Sequence, residues 1–247
     1  MTAVLATYSI KGGVGKTTSA VNLAYEAARA GARVLVWDLD PQGAASFYLR
    51  VRPRVKGGSE RLVTRGGLDR HVRGTDVPAV DLVPADFSLR HLDLHLDGTR
   101  RPTERLAALL APLAPAYDVV LLDCPPSISL ASEAVFGAAG GLVVPVVPTT
   151  LSSRTLAQLA GFLEGQPGAP QLLPHFAMVD RRKKLHRDQL EALAAAWPAF
   201  LTTVIPNAST VERMGVERAP VGAFAPASAA ARAFRQLWAE MAARLWP

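Results

Sequence analysis

The chain has 247 residues, 49% of them hydrophobic and 19% charged, with a single cysteine. That apolar content can bury a core and excludes a disordered chain. One cysteine excludes a disulfide framework and a cysteine-rich metal site, and it points to a reducing, cytosolic compartment. The 27 Lys and Arg against 21 Asp and Glu leave a net charge of +6, which suits a polyanionic partner but says nothing of fold.

Met1 to Tyr8 has no basic leader, and its apolar run is too short for a signal peptide. Val4 to Tyr8 reads as a short buried strand, followed by a glycine loop and a helix from Thr17 to Ala30 that Gly31 terminates. Arg33 to Trp37 is a second strand that runs into acids. Val80–Val83, Val119–Leu122, Leu142–Val147, Phe176–Val179 and Thr202–Ile205 are further strands. Helices are expected near 101–113, 129–139, 153–163, 187–196 and 227–245. The apolar stretch from Ala134 to Val147 is broken by Gly137, Gly140, Gly141 and Pro145, and it falls short of the ~20 residues of a membrane span. Continuous Val and Leu runs mark strands covered on both faces. Their alternation with helices predicts an α/β fold: one doubly wound, mostly parallel sheet flanked by helices, in a single domain over 1–247. Residues 50–73 carry eight cations and two acids between glycine pairs, and they read as a solvated, mobile surface insertion.

Ile10-Lys11-Gly12-Gly13-Val14-Gly15-Lys16-Thr17-Thr18 lies between a strand and a helix, the setting that a phosphate-binding loop requires. Glycines let backbone N–H groups turn toward phosphate oxygens, and the helix N-terminus adds partial positive charge. Lys16 would reach the β- and γ-phosphates of ATP, and the Thr17 hydroxyl would sit on Mg²⁺. The loop departs from the ordinary pattern, because Ile10 occupies the first glycine position and Lys11 follows it. Lys11 is not needed for phosphate binding in cis. A role across a dimer interface, on charge developing at the partner's nucleotide, accounts for it better.

With that second lysine the loop resembles the deviant Walker A motif of the ParA/MinD group of P-loop ATPases. Trp37-Asp38-Leu39-Asp40-Pro41-Gln42-Gly43 is similar to that group's second acidic motif, and Tyr117 to Pro126 to its Walker B strand. Val144 to Pro148, Met178 to Arg181 and Ile205-Pro206-Asn207 fall where later blocks of the family fall. The resemblance implies an ATP-bound homodimer with Lys11 acting in trans. It also implies that Asp40 positions the attacking water and stands with Thr17, Asp38 and Asp123 at the metal, that Asp38 supports the metal or switch region, and that Met178, Pro206 and Asn207 lie near the adenine. Asp123 ends an apolar strand beside the loop, where its carboxylate can hold a water of the Mg²⁺ shell. Capping of a following helix is the competing reading for Asp38 and Asp40.

Within the family, the lone cysteine excludes the iron–sulfur branch. Amidoligase relatives carry an additional glutaminase domain, for which a chain of this length has no room. A MinD-like membrane anchor would need the terminal stripe Phe234, Leu237, Trp238, Met241 and Leu245, which reads better as the docking face of a terminal helix. Membrane attachment is therefore not expected. Arg181, Arg182, Lys183, Lys184 and Arg187, with Arg213 and Arg218, suggest non-specific contact with double-stranded DNA. The expectation is a Mg²⁺-dependent ATPase of the ParA type with weak turnover of its own, cytoplasmic and nucleoid-associated. A ParB-like or cargo adaptor protein would stimulate it to position DNA or protein cargo. The alternatives are a MinD-like membrane-surface ATPase and a nucleotide-gated scaffold with negligible turnover.

Overall fold

Val34–Asp38 and Val119–Asp123 have no exposed residue along their length, which is why they read as unbroken Val and Leu runs and not as alternating ones. They form the middle of an eight-stranded sheet in the computed structural model, which describes residues 2–246. The strands are β1 (Ala3–Thr7), β2 (Val34–Asp38), β3 (Arg73–Gly74), β4 (Val80–Val83), β5 (Val119–Asp123), β6 (Gly141–Val146), β7 (Gln171–Val179) and β8 (Val204–Pro206). Their spatial order is β3-β4-β2-β5-β1-β6-β7-β8. Every pairing is parallel except β3 against β4. The chain runs outward from β1 in both directions, so a crevice opens at the carboxyl ends of the central strands.

Among the described residues twelve α-helices flank the sheet: α1 (Lys16–Arg29), α2 (Ala44–Tyr48), α3 (Gly58–Arg65), α4 (Leu92–Asp97), α5 (Arg105–Leu110), α6 (Leu130–Ala138), α7 (Thr150–Leu163), α8 (Lys184–Ala196), α9 (Ser209–Glu212), α10 (Met214–Glu217), α11 (Val221–Phe224) and α12 (Ala229–Leu245). Leu62, Leu96, Leu106, Ala134, Leu156 and Leu193 bring α3 to α8 onto one face of the sheet. Leu23, Ala45, Met214, Val221 and Phe234 bring α1, α2 and α10 to α12 onto the other. The terminal stripe is consumed in this packing. Phe234, Leu237, Trp238 and Met241 are buried against the α1 layer, each contributing about 1.5–3 kcal/mol. Arg235 of α12 reaches the buried Glu26 of α1, which also pairs with Arg29.

The predicted strands occur in place, with two differences. β7 begins five residues earlier than expected, because Pro174, which argues against a strand, is accommodated opposite Val144. β3 spans two exposed residues and carries no apolar signal. The short helices α2, α3, α4 and α9 to α11 were not expected, since five of the six are too brief to show a helical period.

Residues 50–73 differ most from expectation. They are not a loose insertion but a folded element built on α3 and a 3₁₀ turn at Leu68–His71. Val55, Leu62, Val63 and Leu68 are buried in the core. Buried Ser59 donates to the Ser88 carbonyl at 2.8 Å and contacts His95 Nδ1 at 3.0 Å. Arginine density hid an amphipathic helix whose inner face needs only these few apolar residues.

Candidate nucleotide site

The loop after β1 turns through left-handed backbone at Gly13 (φ 70°) and Gly15 (φ 97°), where any other residue is strained. Gly15 is the N-cap of α1; no side chain caps that end, and its first turn holds no acid. The first N–H groups of α1 are thus left to a ligand, and the partial positive charge there suits an anion.

A cleft of about 420 Å³ opens beside the loop. One wall is Gly12, Gly13, Gly15, Lys16, Thr17 and Thr18, with Asp40 at its edge. The facing wall brings Met178, Pro206 and Asn207 from the ends of β7 and β8. These residues, far apart in sequence, therefore meet in one cavity. Met178 holds left-handed backbone (φ 54°) there, unusual for its type. Pro126, from the end of the Walker B-like stretch, also lines the cleft, as do Tyr48, Val211, Glu212 and Phe234, which no nucleotide-binding motif in the sequence marks. Val14 does not face it; its side chain is buried against Val144 and Leu156. Lys11 is half-buried, and its carbonyl lies 3.5 Å from Lys16 Nζ. Its side chain does not line this chain's own cleft.

Lys16 is 7% exposed, and burial lowers its pKa while Asp123 and Asp40 work against the fall. Asp123 and Asp38 stand opposite each other on β5 and β2 and are fully buried. Asp38 Oδ2 accepts from Ser46 N at 2.8 Å and Ser46 Oγ at 2.7 Å, and Oδ1 accepts from Asp40 N at 3.3 Å. Asp38 therefore anchors the first turn of α2 from the strand end, so the competing capping reading applies to it. Asp40, half-buried, accepts from Gln42 N at 2.9 Å. Asp123 Oδ1 accepts from Thr7 Oγ1 at 3.2 Å, whereas Oδ2 has no partner. Burial pushes the Asp123 carboxyl well above the usual range, the Asp38 charge pushes it further, and the Thr17 and Thr7 hydroxyls oppose the rise.

These residues fit a magnesium nucleotide. An orphaned buried carboxylate oxygen stands beside Thr17 and the cleft holds Lys16, so a divalent ion would meet Thr17 directly and Asp123 through water. Among the described residues no three His, Cys, Asp or Glu side chains converge into a closed metal cage.

Behind the loop helix, His175 of β7 is fully buried with Nε2 3.2 Å from Ser19 Oγ. Desolvation pushes its pKa down to about 3.

The cations assigned to DNA lie in two stretches of the chain, 181–187 and 213–218. Arg181, Arg182, Lys183, Lys184 and Arg187 are exposed where β7 passes into α8. Arg182 pairs with Asp180 through two bonds of 2.9 Å, and Arg187 donates to the Arg181 and Arg182 carbonyls. Arg213 pairs with Glu217 and lies over the Phe224 ring. Arg218 donates to the Phe47 carbonyl and covers that ring at 4.6 Å, so it braces α2.

The AAA domain family matches residues 2–165. The chromosome-partitioning ATPase Soj of Thermus thermophilus is 36% identical, over 95% of this chain and 93% of that protein. A solved structure named cobyrinic acid a,c-diamide synthase, from Mycobacterium smegmatis with bound ATP analog and magnesium, superposes with a TM-score of 0.83 at 26% identity, covering 100% of this chain and 96% of that one. Chain length therefore does not separate the present protein from chains of that name. A plasmid partition protein from Borrelia burgdorferi bound to AMPPNP superposes with a TM-score of 0.87 at 18% identity, over 99% of this chain and 100% of that chain.

Proposed function

The chain belongs to the AAA domain family of P-loop ATPases together with the Soj and ParA partition proteins, and on that premise we propose that it is itself a partition ATPase that hydrolyses ATP. The observation that supports this reading is the single cleft in which an uncapped helix N-terminus, Lys16 and Thr17 face Met178, Pro206 and Asn207. The triphosphate lies along Gly12 to Thr18, with the base toward the far wall. Lys16, Thr17 and Asp123 hold Mg²⁺-ATP, and the ion supplies neutralisation of charge on the phosphates. Asp40 orients a water toward the γ-phosphorus. The bond from that phosphorus to the bridging oxygen breaks, and ADP and inorganic phosphate leave. Lys11 stabilises the transferring phosphoryl of a second copy across a sandwich dimer. Asp38 sets the position of Asp40 by accepting its N–H.

In this reading the ATP-bound dimer holds double-stranded DNA without regard to sequence, in the cytoplasm on the nucleoid. A ParB-like protein or cargo adaptor stimulates hydrolysis and releases the monomers. The MinD-like alternative requires α12 to leave α1, since its apolar stripe is buried. The test is to measure binding to duplex DNA and to anionic vesicles with ATP, with ADP and for Asp40→Ala. ATP-dependent DNA binding, persisting in Asp40→Ala, is expected; ATP-dependent vesicle binding without DNA binding would reverse the choice.

A further inference from the structure

The net charge of the chain, +6, equals the surplus carried by residues 50–73 alone, whose eight cations face two acids. The remainder of the sequence is balanced. Among the described residues, Arg52, Arg54, Lys56, Arg61, Arg65 and Arg70 are exposed with no carboxylate within ion-pair distance. They are displayed on a folded base, since α3 is fixed through Ser59 to Ser88 and His95, and through its Val63 carbonyl to Arg105 Nε.

Arg73 of β3 donates to the Arg70 and Val72 carbonyls beside buried His71. Burial lowers the His71 pKa first, Arg73 lowers it further while Asp69 opposes the fall, and Arg70 and Arg61 add to it. Thr64 of α3 shares a cavity of about 490 Å³ with Arg100, Arg101, Glu104 and Arg105. Arg101 is paired with Glu104, whereas Arg100 and Arg105 have no carboxylate partner among the described residues. Like charges gathered without counter-charges repel one another, and a bound polyanion removes that repulsion.

We propose that α3, the 3₁₀ turn after it and the edge of α5 form a docking surface for the phosphate backbone of double-stranded DNA. The inference rests on the reading of the chain as a DNA-bound partition ATPase, and it places the contact toward the β3 edge of the sheet, whereas 181–187 follows β7 near the opposite edge. Arginine matches phosphate with paired N–H donors, and all but one of the eight cations are arginine. The exposed positions of 50–73 include no large apolar side chain, which disfavours a membrane surface or an apolar protein partner. A polar, strongly cationic surface is the character of a DNA interface.

The test uses the full chain with ATP, a random-sequence duplex, and fluorescence anisotropy over about 50 to 200 mM salt. Arg61→Ser, Arg65→Ser and Arg70→Ser are combined in one variant; Arg181→Ser, Lys183→Ser and Lys184→Ser in another. The first is expected to make the slope of log affinity against log salt shallower by roughly 2–3, with the melting temperature and DNA-free ATP turnover unchanged. Lysine at the same three positions should restore most of that slope. Wild-type binding by the first variant and loss only in the second would overturn the surface and leave the partition reading standing. Loss of polyglutamate binding with DNA binding intact would overturn it in favour of an acidic protein partner. Failure of the wild-type protein to bind duplex with ATP would overturn both.

Discussion

Asp38 and Asp123 are register partners on adjacent strands, both fully buried, and only Asp38 has its two oxygens satisfied. Two carboxylates so placed cannot both ionise easily, and the one with an orphan oxygen is the one that a cation relieves.

Asp123→Asn should therefore separate folding from function. Without nucleotide it removes an uncompensated buried acid, and stability should rise by on the order of 1 kcal/mol at neutral pH. Magnesium-dependent nucleotide retention should weaken by roughly 10–100-fold. Urea denaturation and nucleotide binding with and without magnesium measure the two effects. An unstable variant would mean that the carboxylate is satisfied in the folded protein.

Ser46 ties three things together: its N–H and hydroxyl bond Asp38, and its Oγ accepts from Ala85 N. Ser46→Ala strands the buried Ala85 N–H and removes one of the two donors to Asp38 Oδ2. Stability should fall by about 1–3 kcal/mol, and ATP turnover should fall with little change in nucleotide affinity, since Ser46 is outside the cleft. Equal losses in affinity and turnover would contradict the positioning role.

For Lys11, the variant Lys11→Ala should keep nucleotide binding, because the side chain does not line its own cleft, and should lose hydrolysis. Mixing Lys11→Ala with Asp40→Ala tests the trans assignment. Mixed dimers contain one cleft that has its own Asp40 and the partner's Lys11, so partial activity should return. No recovery at any ratio would refute the assignment.

His175 gives a pH dependence. Its folded pKa, about 3, lies below the ordinary imidazole value of 6.5. Above pH 6.5 both states are neutral and it contributes no slope. Between there and about 3 the unfolded chain takes the proton that the folded one refuses. Stability should then fall by about 1.4 kcal/mol per pH unit on this account. Subtracting the profile of His175→Leu isolates the contribution; parallel profiles would refute it.

Much of this was legible beforehand. The loop from Gly12 to Thr18 announces itself because phosphate binding demands glycine, lysine and threonine at fixed spacing, and Asp38, Asp40 and Asp123 stand at the ends of apolar runs. Other features have no local signature. Tyr48, Val211 and Phe234 reach the cleft only through tertiary packing. Val14 turns inward although its neighbours face the nucleotide side. The order in 50–73 was hidden because α3 needs few apolar residues while arginines fill its outer face. Arg218, assigned to DNA from the sequence, is engaged by Phe47, a contact across 171 positions that no sequence window spans.

The two walls of the cleft also come from opposite ends of the chain. The loop is complete by Thr18, while Pro206, Asn207 and Phe234 come far later in the chain. During synthesis from the ribosome the phosphate-binding half exists long before the wall that encloses it, and α1 waits for α12 to cover its apolar side. Nucleotide capture is thus deferred until β8 and α12 have been made, so a product that stops before Pro206 would carry the loop without the wall that faces it.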